Sequence, residues 1–251
     1  MIKQSTPLLK LSVIIPCHNE ERNIQKLTDA LLKIYNQEIL EIIIVNDGSN
    51  DKTPNIANGL AQKNNKIKVL HRIPPHGVGL ALREGIKNVS PEATHILTID
   101  ADFIQNVPDI KLFLEKIADY DGLVGSRYLL PGYLIRYPIA KRAANRIFHL
   151  LCKIFLGITQ KDLTNNFKLY RKEIFDSIPL TSSNFSINAE TGIYPIIYGY
   201  KIGEVPVKWI GRTKSMGASK FKLLSVGPYY LRVLLMSLLI RCDSGKLESS
   251  L

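Results

Sequence analysis

The stretch from His95 to Phe103, HILTIDADF, decides how the rest of the chain is read. Ile96, Leu97 and Ile99, with β-branched Thr94 and Thr98, form a short, nearly continuous apolar run, the pattern of a strand covered on both faces. The run passes straight into Asp100-Ala101-Asp102. In an extended segment, side chains two apart share a face, so the pattern predicts two carboxylates aimed at one spot with the small Ala101 between them. Two anions that close repel unless a cation lies between them, and hard oxygen ligands select Mg²⁺ or Mn²⁺. A solitary D-x-D is as ordinary as any solvated strand end. Its neighbours give it weight.

Upstream, Leu9–Pro16 reads as a first strand, followed by a helix that Asn19 caps and that carries Ile24, Leu27, Leu31 and Ile34 on one face. Glu41–Asn46 is a second buried strand, ending in the polar turn Asp47-Gly48-Ser49-Asn50-Asp51, and a helix starts near Thr53 with Pro54 in its first position. Lys66–His71 is a third strand. The turn His76-Gly77-Val78-Gly79 then leads into a helix over Ala81–Asn88; its glycines fit a tight turn, and they also let backbone amides approach a phosphate. After HILTIDADF come a helix over Asp109–Ala118 and a fifth strand, Gly122–Ser126. Strands alternating with helices in this way predict an α/β fold with a mainly parallel sheet flanked by helices. Ligands bind at the carboxyl ends of such strands, which is where Pro16–Glu20, Asn46-Asp47 and Asp100–Asp102 fall.

The net charge of +11 is unevenly placed. Between Arg127 and Lys222 there are 16 Lys and Arg against 5 Asp and Glu, and the remainder of the chain is neutral. A localised basic surface calls for an anionic partner. Nothing in it carries the aromatic signature of RNA-binding modules, so nucleic acid is set aside. Cys17, Cys152 and Cys242 are far apart, which argues against a zinc site or disulfide framework and fits a reducing, cytoplasmic setting. The N-terminus lacks a signal-peptide pattern, and no apolar stretch is long enough to span a bilayer. Two come close, Ile147–Ile158 and Tyr229–Ile240, interrupted by Lys153 and Arg232. Beside a basic flank they read as helices lying in a membrane interface.

In combination, SVIIPCHNE, VNDGSND, HGVGLALREGI, DADF and GSRY (Gly125–Tyr128) resemble family 2 glycosyltransferases of the GT-A, Rossmann-like fold. DLTNNFKLYRKEIF (Asp162–Phe175) and GEVPVKW (Gly203–Trp209) resemble in particular the dolichyl-phosphate mannose synthases and their glucose-transferring relatives. The resemblance implies that Pro16, His18, Glu20, Asp47, Asp100 and Ala101 bind the nucleotide sugar, and that Asp100 and Asp102 hold a divalent cation on its diphosphate, with Gln105 near the place of a third ligand. It implies that Arg127 and Arg142 receive a lipid phosphate, that Arg212, Ser219 and Lys220 contact the diphosphate, and that Glu190 faces the sugar. Three departures stand out: Ile104 where the metal-linked Gln often lies, Asn166 where Gly precedes Phe, and two extra residues between Arg212 and Gly217.

Together these readings predict a GT-A domain over residues 1–222 and an interfacial helix and tail over 223–251, with basic, amphipathic helices toward the C-terminus. The expected activity is inverting transfer of a hexose from a nucleotide sugar, GDP-mannose first and UDP-glucose second, onto a polyprenyl or dolichyl phosphate. The expected setting is peripheral, on the cytoplasmic face of a membrane. Asp102, Arg127 and Arg142 are the expected catalytic residues, and Mg²⁺ or Mn²⁺ the cofactor. The competing reading is a non-catalytic, anion-binding membrane module on the same fold.

Overall fold

A computed structural model describes residues 9–211 and 223–248. Its first half follows the alternation of the sequence: β1 (Leu11–Cys17), α1 (Ile24–Tyr35), β2 (Ile39–Asn46), α2 (Thr53–Lys63), β3 (Ile67–His71), α3 (Val78–Lys87), β4 (His95–Thr98), α4 (Ile110–Lys116) and β5 (Gly122–Ser126). Beyond these lie β6 (Leu134–Ile135), α5 (Ile139–Leu156), β7 (Lys168–Arg171), α6 (Lys172–Ser177), α7 (Ile187–Ile197), β8 (Ile202–Pro206), β9 (Trp209–Ile210) and α8 (Leu223–Glu248). Seven strands form one sheet in the order β3-β2-β1-β4-β7-β5-β8. All neighbours are parallel except β7, which runs antiparallel to both β4 and β5.

β1 is buried along its whole length because helices cover both faces of the sheet. Val13 and Ile15 pack toward α1 with Leu27 and Leu31, while Ile14 between them packs toward α3 and Leu82. The second layer also takes Cys152 and Phe148 from α5, Ile187 and Ile193 from α7, and Val233 and Leu234 from α8. α8 is bolted to that layer: Tyr230 Oη donates to Phe185 O at 3.0 Å, Arg241 Nη1 donates to Leu156 O at 2.6 Å, and the Phe148 and Tyr230 rings meet edge-on. A small parallel ribbon, β6 with β9, stands apart from the main sheet.

Two local expectations are corrected. The strand through HILTIDADF ends at Thr98, and the chain turns at Asp100–Phe103, where Phe103 N donates to Asp100 O at 3.0 Å. The two aspartates therefore meet through a turn, not through strand alternation. Asn19 is not a helix cap: it takes a left-handed φ of 56°, its side chain accepts from Asn50 N at 2.9 Å, and the helix starts at Ile24. Its short polar side chain is what makes the left-handed conformation tolerable.

Candidate active site

A cavity of about 1110 Å³ opens at the carboxyl ends of β1, β2 and β4 and extends to α5 and α8. Pro16, His18, Glu20, Asp47, Asp100 and Ala101 line it, and so do Asp102 and Arg127. The sequence brings these eight to one place. Its far wall is apolar, with Ile147, Phe148 and Leu151 from α5, Phe185, and Tyr230 and Leu231 from α8.

Asp102 is buried, and Asp100 is partly buried with Oδ1 accepting from Asn166 Nδ2 at 2.8 Å. No cluster of three or more His, Cys, Asp or Glu side chains with metal-site spacing occurs among the described residues. Two carboxylates on a cavity wall nevertheless fit Mg²⁺ or Mn²⁺, which is held by one or two carboxylates while substrate phosphates and water complete its shell. Gln105 is exposed on the turn that follows and does not line the cavity.

At the β1–β2 side, the Asp47 carboxylate is surrounded. It pairs with Arg72, accepts from Gly77 N at 2.6 Å and lies 3.3 Å from His76 Nδ1, while its backbone oxygen accepts from His18 Nδ1 at 2.7 Å. Arg72 went unread in the sequence, and His76, which entered there only as the start of a turn, lines the cavity. The Gly77-Val78-Gly79 turn has a different reason from phosphate binding. Ser183 O accepts from Gly79 N at 3.0 Å, and a Cβ at Gly77 or Gly79 would lie 2.2 or 2.3 Å from the carbonyls of Ser183 and Ser182. The glycines admit another loop, which takes the amide that a phosphate would need. Glu190 serves that loop: it is buried and accepts from Thr181 N at 2.9 Å, Thr181 Oγ1 at 2.8 Å and Ser182 N at 3.0 Å. It does not line the cavity.

Arg127 is 7% exposed, and its charge is matched by Asp162, which is wholly buried. Nε and Nη2 donate to the two carboxylate oxygens at 2.6 and 2.8 Å, and Arg127 N adds a third bond at 3.0 Å. Burial opposes ionisation of both groups, yet the paired charges prevail, holding the Arg127 guanidinium above and the Asp162 carboxyl below their ordinary ranges. The rings of Tyr137 and Trp209 each lie 5.6 Å from the guanidinium. Arg142 lies exposed on α5 and does not line the cavity; the neighbouring Lys141 does, as does Arg136, held by the β6–β9 ribbon in a left-handed conformation at φ 53°. Of the pair Lys141-Arg142, it is Lys141 that the structure places on the cavity wall.

His149 fixes the geometry behind Arg127. Its Nδ1 donates to Asn145 O at 2.8 Å and its Nε2 accepts from Leu163 N at 2.8 Å, beside Asp162, which requires a neutral ring. Burial pushes its pKa down to about 4, against the pull of Asp162 and of its bond to Asn145. Asn145, Asn165, Asn166 and Asn188 also line the cavity, and no local pattern in the sequence flagged them as a set. Arg212, Ser219 and Lys220 lie outside the described residues.

Residues 12–178 match the model of glycosyl transferase family 2. The chain belongs to that family, and its sheet is the GT-A fold of a glycosyltransferase. It is similar to the dolichyl-phosphate hexose transferase of Haloferax volcanii, 30% identical over 208 residues that take in 81% of this chain and 86% of that protein. The glycosyltransferase AglD of the same organism is 24% identical over 209 residues, 80% of this chain but 33% of that longer protein. Among solved structures, glucosyl-3-phosphoglycerate synthase from Mycobacterium tuberculosis aligns with a TM-score of 0.69 at 17% identity over 92% of this chain and 81% of that one. Its complex with Mn²⁺, uridine diphosphate and phosphoglyceric acid gives 0.66 at 19% identity, over 93% and 78%. These structural likenesses are likenesses of fold.

Proposed function

We propose that the protein transfers a hexose from a nucleotide sugar to a polyprenyl phosphate, with inversion, at the surface of a membrane. One observation supports this most: a single cavity joins the Asp100–Asp102 pair to basic side chains and an apolar wall. The nucleotide would lie along Pro16, His18, Glu20 and Asp47. Asp100 and Asp102 would hold a Mg²⁺ or Mn²⁺ ion on its diphosphate. When bound, that ion supplies charge stabilisation to the departing nucleoside diphosphate. Arg212 and Lys220, outside the described residues, are assigned to the same diphosphate by the sequence resemblance alone.

A phosphate monoester needs no protein base, because with a second pKa of about 6 it is already an anionic nucleophile at neutral pH. It needs a positive cradle on the cavity wall. Lys141 and Arg136 suit that role better than Arg142, and Arg127, with its charge matched by Asp162, acts from behind them. Asp102, Arg127 and Lys141 are the groups on which turnover should depend.

The membrane part rests on surface chemistry. Ile147, Leu150, Ile154 and Phe155 on α5 are exposed, as are Tyr229, Leu231, Leu235, Met236 and Leu239 on α8, where an ordinary surface helix is polar. No helix among the described residues is long and apolar enough to cross a membrane. Apolar faces beside a basic segment suit peripheral binding to anionic lipid. Residues 1–222 would form the catalytic unit and 223–251 the membrane-facing helix; Tyr230 and Leu231 make that helix part of the cavity as well. GDP-mannose is the first donor and UDP-glucose the second. The favoured donor is identified by thermal shift with GDP, UDP and their sugar conjugates, with and without Mn²⁺. Stabilisation by one nucleotide series that requires Mn²⁺ supports the reading, and no response to either series defeats it.

A further inference from the structure

One cavity-wall side chain has no part in the chemistry above. Asn188 lies in the first turn of α7, is 7% exposed and lines the cavity. Its amide oxygen is buried with no hydrogen-bond partner among the described residues. Its backbone oxygen, by contrast, is well used, accepting from Lys168 Nζ at 2.7 Å. A second amide on the same wall is half used. Asn166, 2% exposed, donates from Nδ2 to Asp100 Oδ1 at 2.8 Å, while its own Oδ1 is buried and unpartnered among the described residues. Lys168, two residues after Asn166 and the first residue of β7, reaches α7 by donating to Asn188 O.

Buried amide oxygens without partners destabilise a fold, and each one in a native chain calls for an explanation. Such strain is retained where a ligand completes the bonds. The chemistry narrows the ligand. An amide offers one acceptor and two donors. That suits a hydroxyl-bearing ring and not a second anion. The position narrows it further, since Asn166 grips Asp100, the residue assigned to the donor diphosphate, and the sugar is the next group along.

We propose that Asn188, with Asn166 on the same cavity, reads the hydroxyl groups of the donor's sugar ring and so contributes to sugar selection. This rests on the donor reading given under the proposed function. A site built to bond a hydroxyl discriminates strongly against a ligand that lacks it, because its polar atoms are otherwise left unpaired.

The test is calorimetric titration, with Mn²⁺ present, of wild type, Asn188→Ala and Asn188→Gln with GDP, UDP, GDP-mannose and UDP-glucose, plus thermal unfolding of each ligand-free protein. Asn188→Ala is expected to weaken the preferred nucleotide sugar about tenfold and leave the matching nucleoside diphosphate unchanged. Its ligand-free melting temperature should equal or exceed that of wild type, since an unpaired amide has been removed. Asn188→Gln should recover part of the lost affinity. Equal weakening of the nucleoside diphosphate, unchanged affinity for the nucleotide sugar, or a lowered ligand-free melting temperature would each overturn the proposal. If wild type binds neither nucleotides nor nucleotide sugars, the donor reading itself fails. If wild type binds both and Asn188→Ala matches it, only the sugar-reading role fails.

Discussion

Asp162→Asn is the substitution that asks most of the structure. Asp162 is wholly buried and answers Arg127 through two side-chain bonds, at 2.6 and 2.8 Å, and one backbone bond at 3.0 Å. Asparagine keeps the shape and removes the charge, leaving the buried Arg127 guanidinium uncompensated. Breaking one member of a buried ion pair costs about 3–5 kcal/mol, a large part of the roughly 5–15 kcal/mol that holds a domain folded. For a chain of this size that corresponds to a fall in melting temperature of about 10 °C. Replacing the pair with apolar side chains, Arg127→Met with Asp162→Leu, removes both desolvation penalties and should recover most of the loss. The assay is urea unfolding of wild type, Asp162→Asn, Arg127→Met, Asp162→Leu and the Arg127→Met, Asp162→Leu double variant, the last three read with wild type as a double-mutant cycle. A loss below about 1 kcal/mol in Asp162→Asn, or additive effects in the double variant, would refute the pairing. Arg127 would then be free to serve directly as the phosphate ligand.

Three further outcomes are expected. Lys141→Ala should lower transfer to lipid phosphate by tenfold or more, while Arg142→Ala, on the exposed side of the same helix, should change it less than threefold; parallel rate measurements on the two variants decide this. His149, with its pKa lowered to about 4 in the fold, stays neutral while the unfolded chain takes up a proton below about pH 6.5, so its contribution is full above that pH and is lost as pH falls toward 4. His95 is lowered to about 4 in the same way, so denaturant titrations from pH 7 to 4 should show wild type losing stability and His149→Gln losing it less steeply. Leu235→Glu with Leu239→Glu, both on the exposed face of α8, should reduce co-sedimentation with anionic vesicles severalfold without altering nucleotide binding, and binding by wild type should weaken as salt rises.

Much of this was legible in the sequence, for identifiable reasons. Strands such as Ile42–Val45 and Val13–Ile15 are continuous apolar runs, and only burial on both faces produces that pattern. Their carboxyl ends then placed Pro16–Glu20, Asp47 and Asp100–Asp102 at one edge without further information. β7 escaped because it is four residues long and contains Lys168, which is 1% exposed; a lysine seldom marks a sheet interior, and this one is held by Asn188 O and Thr191 Oγ1. Asp162 lies 35 residues from Arg127, and no local periodicity records a pairing over that distance. Lys141 and Arg142 differ by about 100° around a helix, so charge alone did not say which faces the cavity. The glycines of Gly77-Val78-Gly79 looked like a phosphate turn because the loop that presses on them, Ser182–Asn184, comes about a hundred residues later.

The central claim is that a sugar passes from a nucleotide to a lipid phosphate in a cavity governed by Asp100 and Asp102. Its most direct test follows radiolabelled hexose from GDP-mannose and from UDP-glucose in separate reactions. Each reaction contains Mn²⁺ and polyprenyl phosphate in vesicles, and wild type is compared with Asp102→Asn. The account predicts label in an organic-extractable product from one donor with wild type. It predicts a loss of at least a hundredfold in Asp102→Asn, with the far-ultraviolet circular dichroism of that variant unchanged. Label that remains in water-soluble products with both donors, or equal transfer by Asp102→Asn, would contradict it.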